Sequence, residues 1–164
     1  MVRALAVSRR QARERALSLL YEAETKGVTP AEVVADLPVE PAPFASELVL
    51  GVGEHQAEVD GWIVRFARDW ALERMPALDR ALLRIGVYEL AHRPDVPTGA
   101  VISEAVELAQ RYSTDDSSRF VNGVLAAIAA EVRPGSKAEA AAAVVPPAPE
   151  LPEPVPFDEE PDEL

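Results

Sequence analysis

Leu78-Asp79-Arg80-Ala81-Leu82-Leu83-Arg84-Ile85-Gly86-Val87-Tyr88-Glu89-Leu90 is the stretch on which the architecture turns. Its apolar residues Leu78, Leu82, Leu83, Ile85, Val87 and Leu90 keep helical spacing, but the stripe they form is too wide for a helix covered on one side only. A helix covered on several sides belongs at the centre of a helical bundle. Pro94 and Pro97 separate it from the next helix.

Toward the amino terminus, Ala12, Ala16, Leu19, Leu20 and Ala23 trace one helical face that Gly27 stops, which predicts a first helix over 9–26. Thr29, Pro30 and Glu32 form a capping box, so a short second helix begins there and ends before Pro38. Phe44, Leu48, Val52, His55, Val59, Ile63, Phe66 and Trp70 predict a long third helix, with Gly51, Gly53 and Gly61 as points of weakness or close packing. Beyond the central helix, Val101, Ile102, Ala105, Leu108, Ala109 and Tyr112 share one face while Glu104, Glu107 and Arg111 point to water. Ser113 or Thr114 caps a last helix whose first turn carries Asp115 and Asp116, and which buries Phe120, Val121, Val124, Leu125 and Ile128. No segment alternates with a period of two, so the expectation is an all-α fold of six or seven helices.

Charge divides the chain. Residues 1–133 hold 15 Lys and Arg against 20 Asp and Glu, while 134–164 hold one Lys, eight acids and eight of the 15 prolines. That composition cannot bury enough apolar surface to offset its ordering, so 134–164 reads as a disordered acidic tail behind a helical domain at 8–133, with 1–7 as a flexible start. No run is long and apolar enough for a signal peptide or a bilayer span, so a soluble cytoplasmic protein without membrane contact is expected.

Little points to catalysis. The chain has no cysteine, no phosphate-cradling glycine loop and no cluster of metal-ligand spacing, so neither cofactor nor metal is expected. His55, on the apolar face of the third helix, reads as a satisfied core or boundary histidine, and His92 sits at the end of the central helix. The amino terminus runs against the acidic balance: Arg3, Arg9, Arg10, Arg13 and Arg15 face Glu14 alone. Cations at a helix N-terminus oppose the macrodipole, whereas guanidinium forks suit phosphate oxygens. Arg9, Arg10 and Arg13 gather on one side and are expected off the apolar stripe; salt bridging and solubility remain the competing account.

Two stretches carry a resemblance. Ser8-Arg9-Arg10-Gln11-Ala12-Arg13-Glu14-Arg15-Ala16-Leu17 through Leu20-Tyr21-Glu22 is similar to the opening of the NusB family. Leu83-Arg84-Ile85 to Tyr88-Glu89-Leu90, Asp95-Val96-Pro97, Ile102-Ser103-Glu104-Ala105-Val106-Glu107-Leu108-Ala109 and Phe120-Val121-Asn122-Gly123-Val124-Leu125 come in that family's order and spacing. Over about residues 8–133 the resemblance implies two three-helix bundles set across one another, no catalytic activity, and pairing with NusE, a small-subunit ribosomal protein. The pair would hold single-stranded boxA RNA of ribosomal RNA transcripts and join the RNA polymerase elongation complex with other Nus factors, suppressing premature termination. By motif match Arg9, Arg10, Arg13 and Phe120 would lie at the RNA, and Tyr21, Asp79, Tyr112 and Asp116, the partner-binding candidates, at or near the partner and RNA surfaces. Some members dimerise, which leaves monomer and homodimer open.

The acidic tail is not part of the family pattern, and a lysine-rich RNA surface is missing. Two other readings stand beside this one: an RNA-recognition domain related to that of ribosomal RNA cytosine methyltransferases, and a helical scaffold that binds protein alone.

Overall fold

The structure, a computed structural model, describes residues 6–135. Seven α-helices run in order: α1 (Arg9–Lys26), α2 (Pro30–Ala35), α3 (Pro43–Glu54), α4 (Gln56–Phe66), α5 (Ala77–His92), α6 (Thr98–Tyr112) and α7 (Asp115–Val132), with a 3₁₀ turn at Leu72–Arg74. There is no strand among the described residues. The tail expected over 134–164 lies, beyond Pro134 and Gly135, outside the described residues.

Local chemistry sets the helix ends. Ser8 caps α1 in a full capping box: its Oγ accepts from the Gln11 amide at 3.1 Å while its own amide donates to Gln11 Oε1 at 2.9 Å. Gly27 closes the helix at φ 68°, a left-handed position that favours glycine. Thr29 and Glu32 form the box expected for α2, and Thr114, not Ser113, caps α7.

Helices α1, α2 and α3 form one bundle and α5, α6 and α7 the other, with α5 also lying against α1, α3 and α4. That position explains the wide stripe, since ten of the 16 residues of α5 are buried. Leu82, Leu83 and Leu90 are among the largest fully buried side chains, each contributing about 1.5–3 kcal/mol by leaving water. Two glycines permit close approach to this core. A Cβ on Gly86 would lie 2.7 Å from Leu125 Cδ1 of α7, and one on Gly51 would collide with the Tyr88 ring.

The third predicted helix is two helices. The break falls at His55 (φ −105°, ψ 19°), not at a glycine, and the apolar spacing carries straight across it. His55 is therefore a joint residue, its side chain 34% exposed, and not a core position on a continuous face.

Candidate functional site

The arginine-rich edge is held by carboxylates brought from the second bundle. Arg10 of α1 donates from Nε and Nη2 to Glu104 at 3.1 and 3.0 Å and lies 2.8 Å from Glu107, both on α6, which raises its pKa. Arg9 stands 3.5 Å from Asp95 and lies over the Phe44 ring, 5.2 Å from its centroid. Both arginine side chains remain about half exposed.

Arg13 departs from expectation. Its side chain is 6% exposed and donates to Glu89 of α5 from Nε at 3.0 Å and from Nη2 at 2.7 Å, while Glu89 itself is 1% exposed. It lies on the apolar stripe, between Ala12 and Ala16, and pins one bundle to the other. The pair is hidden because Glu89 occupies the covered face of the central helix, where a lone carboxylate would be costly. Arg13 is thus a positioning residue and does not stand on the exposed edge with Arg9 and Arg10.

Phe120 is buried, as the spacing of the last helix leads one to expect, and is not exposed at the edge where the resemblance puts RNA. At 3% exposure it packs its ring edge-on against Trp70, with centroids 4.7 Å apart, and offers no face to a base. Asp79 is fully buried in the first turn of α5, where it accepts from Ser113 Oγ at 2.9 Å and Ser117 Oγ at 2.6 Å. It fixes the α6–α7 junction and reaches the surface only through that hydroxyl network, which includes the Thr114 cap. Asp116, by contrast, is 70% exposed beside Arg119.

Tyr21 and Tyr112 are each 44% exposed, which places neither of them in the core. They share a shallow groove of about 490 Å³ with Gln11, Glu14, Arg15, Leu17, Ser18 and Leu78. The Tyr112 hydroxyl donates to the Glu14 carboxylate, which raises the tyrosine pKa and ties the end of α6 to α1. Arg111 approaches the same carboxylate at 3.6 Å. Arg15 is exposed on the groove with no ion-pair partner among the described residues. In the sequence it counts only as charge, with no sign that it lines this groove. The available signal is positional: Arg15 comes one helical turn after Gln11 and precedes Ser18, clear of the apolar stripe.

Elsewhere the fold brings together residues that the sequence keeps apart. Glu58 Oε2 lies 3.1 Å from His92 Nε2 and 3.5 Å from His55 Nδ1, a grouping of ligand-type atoms that motif spacing does not reveal.

Two packed three-helix bundles, with an arginine-rich first helix lying against the central one, define the class of two-bundle helical proteins. The NusB family model matches residues 10–130, and this chain belongs to the NusB family. It is 48% identical to the transcription antitermination protein NusB of Kineococcus radiotolerans, covering 74% of this chain and 93% of that one. The same-named protein of Symbiobacterium thermophilum is 45% identical, with 74% and 89% covered. Among solved structures, NusB of T. maritima aligns with a TM-score of 0.70 at 31% identity, covering 77% of this chain and 94% of that one. A crystal structure of antitermination factors NusB and NusE in complex with double-stranded RNA aligns with a TM-score of 0.64 at 30% identity, covering 75% and 96%.

Proposed function

We propose that this chain is a cytoplasmic, non-enzymatic transcription antitermination factor. Paired with NusE, it holds boxA-type RNA of ribosomal RNA transcripts and, with RNA polymerase and other Nus factors, suppresses premature termination. Family membership supports the reading, as does a structural neighbour that is a NusB–NusE complex with RNA. The matched relatives are antitermination proteins covered over 93% and 89% of their length, which favours this reading over a domain of a methyltransferase. Among the described residues no helix is long and apolar enough to cross a membrane.

One observation carries the site: α1 holds the half-exposed Arg9 and Arg10 and, lining the groove where Tyr21 meets Tyr112, Arg15, which has no ion-pair partner among the described residues. Single-stranded RNA needs cations for its phosphates and exposed rings for its bases. Arg9 and Arg10 are each about half exposed, so solvent screens their ion pairs and a phosphate can replace Asp95, Glu104 or Glu107 at small cost. The buried Arg13–Glu89 pair cannot exchange in this way. Tyr21 and Tyr112 stand where the partner and RNA surfaces meet, Asp116 stands open for the protein partner, and Asp79 shapes that surface from beneath.

The test is the triple variant Arg9→Ala, Arg10→Ala, Arg15→Ala, saturated with NusE and titrated with boxA RNA at several salt concentrations. Removing one phosphate-binding cation lowers the slope of log K against log salt by about 0.7, so a reduction of about 2 is expected for the three. Sequence preference over a scrambled strand should survive, and a duplex arm tells single-strand from double-strand binding. Unchanged affinity and slope would reduce this edge to a solvated face.

A further inference from the structure

The sequence contains two histidines and no cysteine. The fold brings both histidines to one place: His55 at the joint of α3 and α4, and His92 at the end of α5, their rings stacked with centroids 4.0 Å apart. Glu58, one turn beyond His55, directs a single oxygen toward both imidazoles, at 3.1 and 3.5 Å. One ligand-type atom from each of the three residues lies within 4.8 Å of the other two. Tyr88 stacks on His92 at 5.3 Å and closes the inner side, while His92, His55 and Glu58 are 29%, 34% and 46% exposed. A hydrated ion therefore has access from outside and a wall behind it. Burial raises the Tyr88 pKa, and Glu47 and Glu54 add to it against Arg93, so further carboxylates border this wall, with the Arg93 charge already shared between Glu47 and Asp95.

We propose that His55, Glu58 and His92 bind one divalent zinc-class cation through two imidazole nitrogens and one carboxylate oxygen, water completing the shell. Zinc–ligand bonds of about 2.0–2.1 Å in a tetrahedron put neighbouring ligand atoms roughly 3.3 Å apart, so both histidine–carboxylate edges already have the required length. The edge between the imidazoles closes when one ring turns out of the stack, a rotation about its terminal side-chain torsion, which is broad for histidine. Imidazole and carboxylate together select borderline metals such as zinc, nickel and copper(II) over magnesium and calcium, which prefer oxygen alone. The bound ion would clip the α3–α4 joint to the end of α5. It stands apart from the arginine–tyrosine edge and does not depend on the reading proposed for that edge.

Zinc chloride is titrated calorimetrically into the full chain, free of any affinity tag, with magnesium and calcium chlorides as controls. One zinc per chain is expected, and zinc at about 100 times its Kd should raise the thermal midpoint by roughly 5–10 °C. His55→Gln and His92→Gln should each lose that equivalent, and Glu58→Gln should weaken it. Retention of the same stoichiometry by the double histidine variant would overturn the site, as would equal competition by magnesium, because either result puts the zinc on surface carboxylates. Should a variant fold poorly, imidazole NMR of the unaltered chain decides. Only two histidine ring systems exist, and both must shift with one equivalent of zinc; rings that do not respond refute the proposal.

Discussion

Burial separates arginine residues that the sequence groups together. Arg13 and Glu89 form a hidden ion pair, so losing either partner strands a charge. Glu89→Gln or Arg13→Ala should each lower unfolding stability by about 3–5 kcal/mol in urea titrations, whereas Arg10→Ala, at a solvent-screened pair, should cost far less. Equal effects from Arg10 and Arg13 would show that the buried pair is not special. A gentler case is Asp95, whose bidentate hydrogen bonds from Arg93, at 2.9 Å each, hold its carboxyl well below the usual carboxylate range. A carboxyl with a depressed folded pKa stabilises above its unfolded value, near about 3.9, and loses that contribution as pH falls toward the folded one. The midpoint difference between the unaltered chain and Asp95→Asn should therefore be present at pH 7 and shrink below pH 4. A constant difference would separate Asp95 from acid unfolding. The burial of Arg13 is legible in part: with Ala16, Leu17 and Leu20 it keeps i, i+3, i+4, i+7 spacing. Its partner is not, because Glu89 lies 76 residues away and periodicity reports a face, never which helix covers it.

Among the helices, the capping boxes of α1 and α2 and the Gly27 stop are readable because their chemistry lies within a few residues. The joint at His55 is not. Val52, His55 and Val59 keep helical phase across it, and the glycines that look weak serve other ends: Gly51 admits the Tyr88 ring, and Gly53 sits against Pro30. Gly51→Ala should therefore destabilise by about 1–3 kcal/mol through overpacking, although alanine is the better helix former. Gly61, with nothing within 4 Å of a Cβ, should tolerate alanine or gain from it. Thermal unfolding of the two variants gives opposite signs if close packing, not helix propensity, governs Gly51. The same limit explains Tyr112, Phe120 and Asp79. Helical spacing places each on a face, but the turn between α6 and α7 decides which of them meets solvent.

For the complete fold, the two-bundle arrangement is legible in the wide stripe of α5, which only a central helix requires. At the boundary that composition leads one to expect near residue 133, the structure places a specific contact. Arg133 donates from Nε to the Leu90 carbonyl at 2.9 Å, from Nη1 to Val96 O at 2.6 Å, and from Nη2 to Glu89 O and Arg93 O at 3.0 and 2.7 Å. One guanidinium thus satisfies carbonyls at the end of α5 and in the turn leading to α6. A chain ending at Arg133 should unfold cooperatively with a nearly unchanged midpoint and, freed of the charge of 134–164, bind RNA more strongly at low salt. Ending at Val132 instead should cost more than about 3 kcal/mol, because several carbonyls lose a charged donor together. Lysine at 133 would recover only part of it, having three donors where arginine has five. Equal midpoints for the two truncations would remove Arg133 from this role.

The Arg13–Glu89 pair also bears on the order of events during synthesis. Translation proceeds from the N-terminus at about 5–20 residues per second, so a separation of 76 residues means that α1 waits roughly 4–15 s between the making of its arginine and of the matching carboxylate. Through that interval the guanidinium is an ordinary solvated cation on a nascent helix, and the first bundle lacks its ionic anchor to the second. The two halves of the molecule become one cooperative unit only after the ribosome has delivered the middle of the chain.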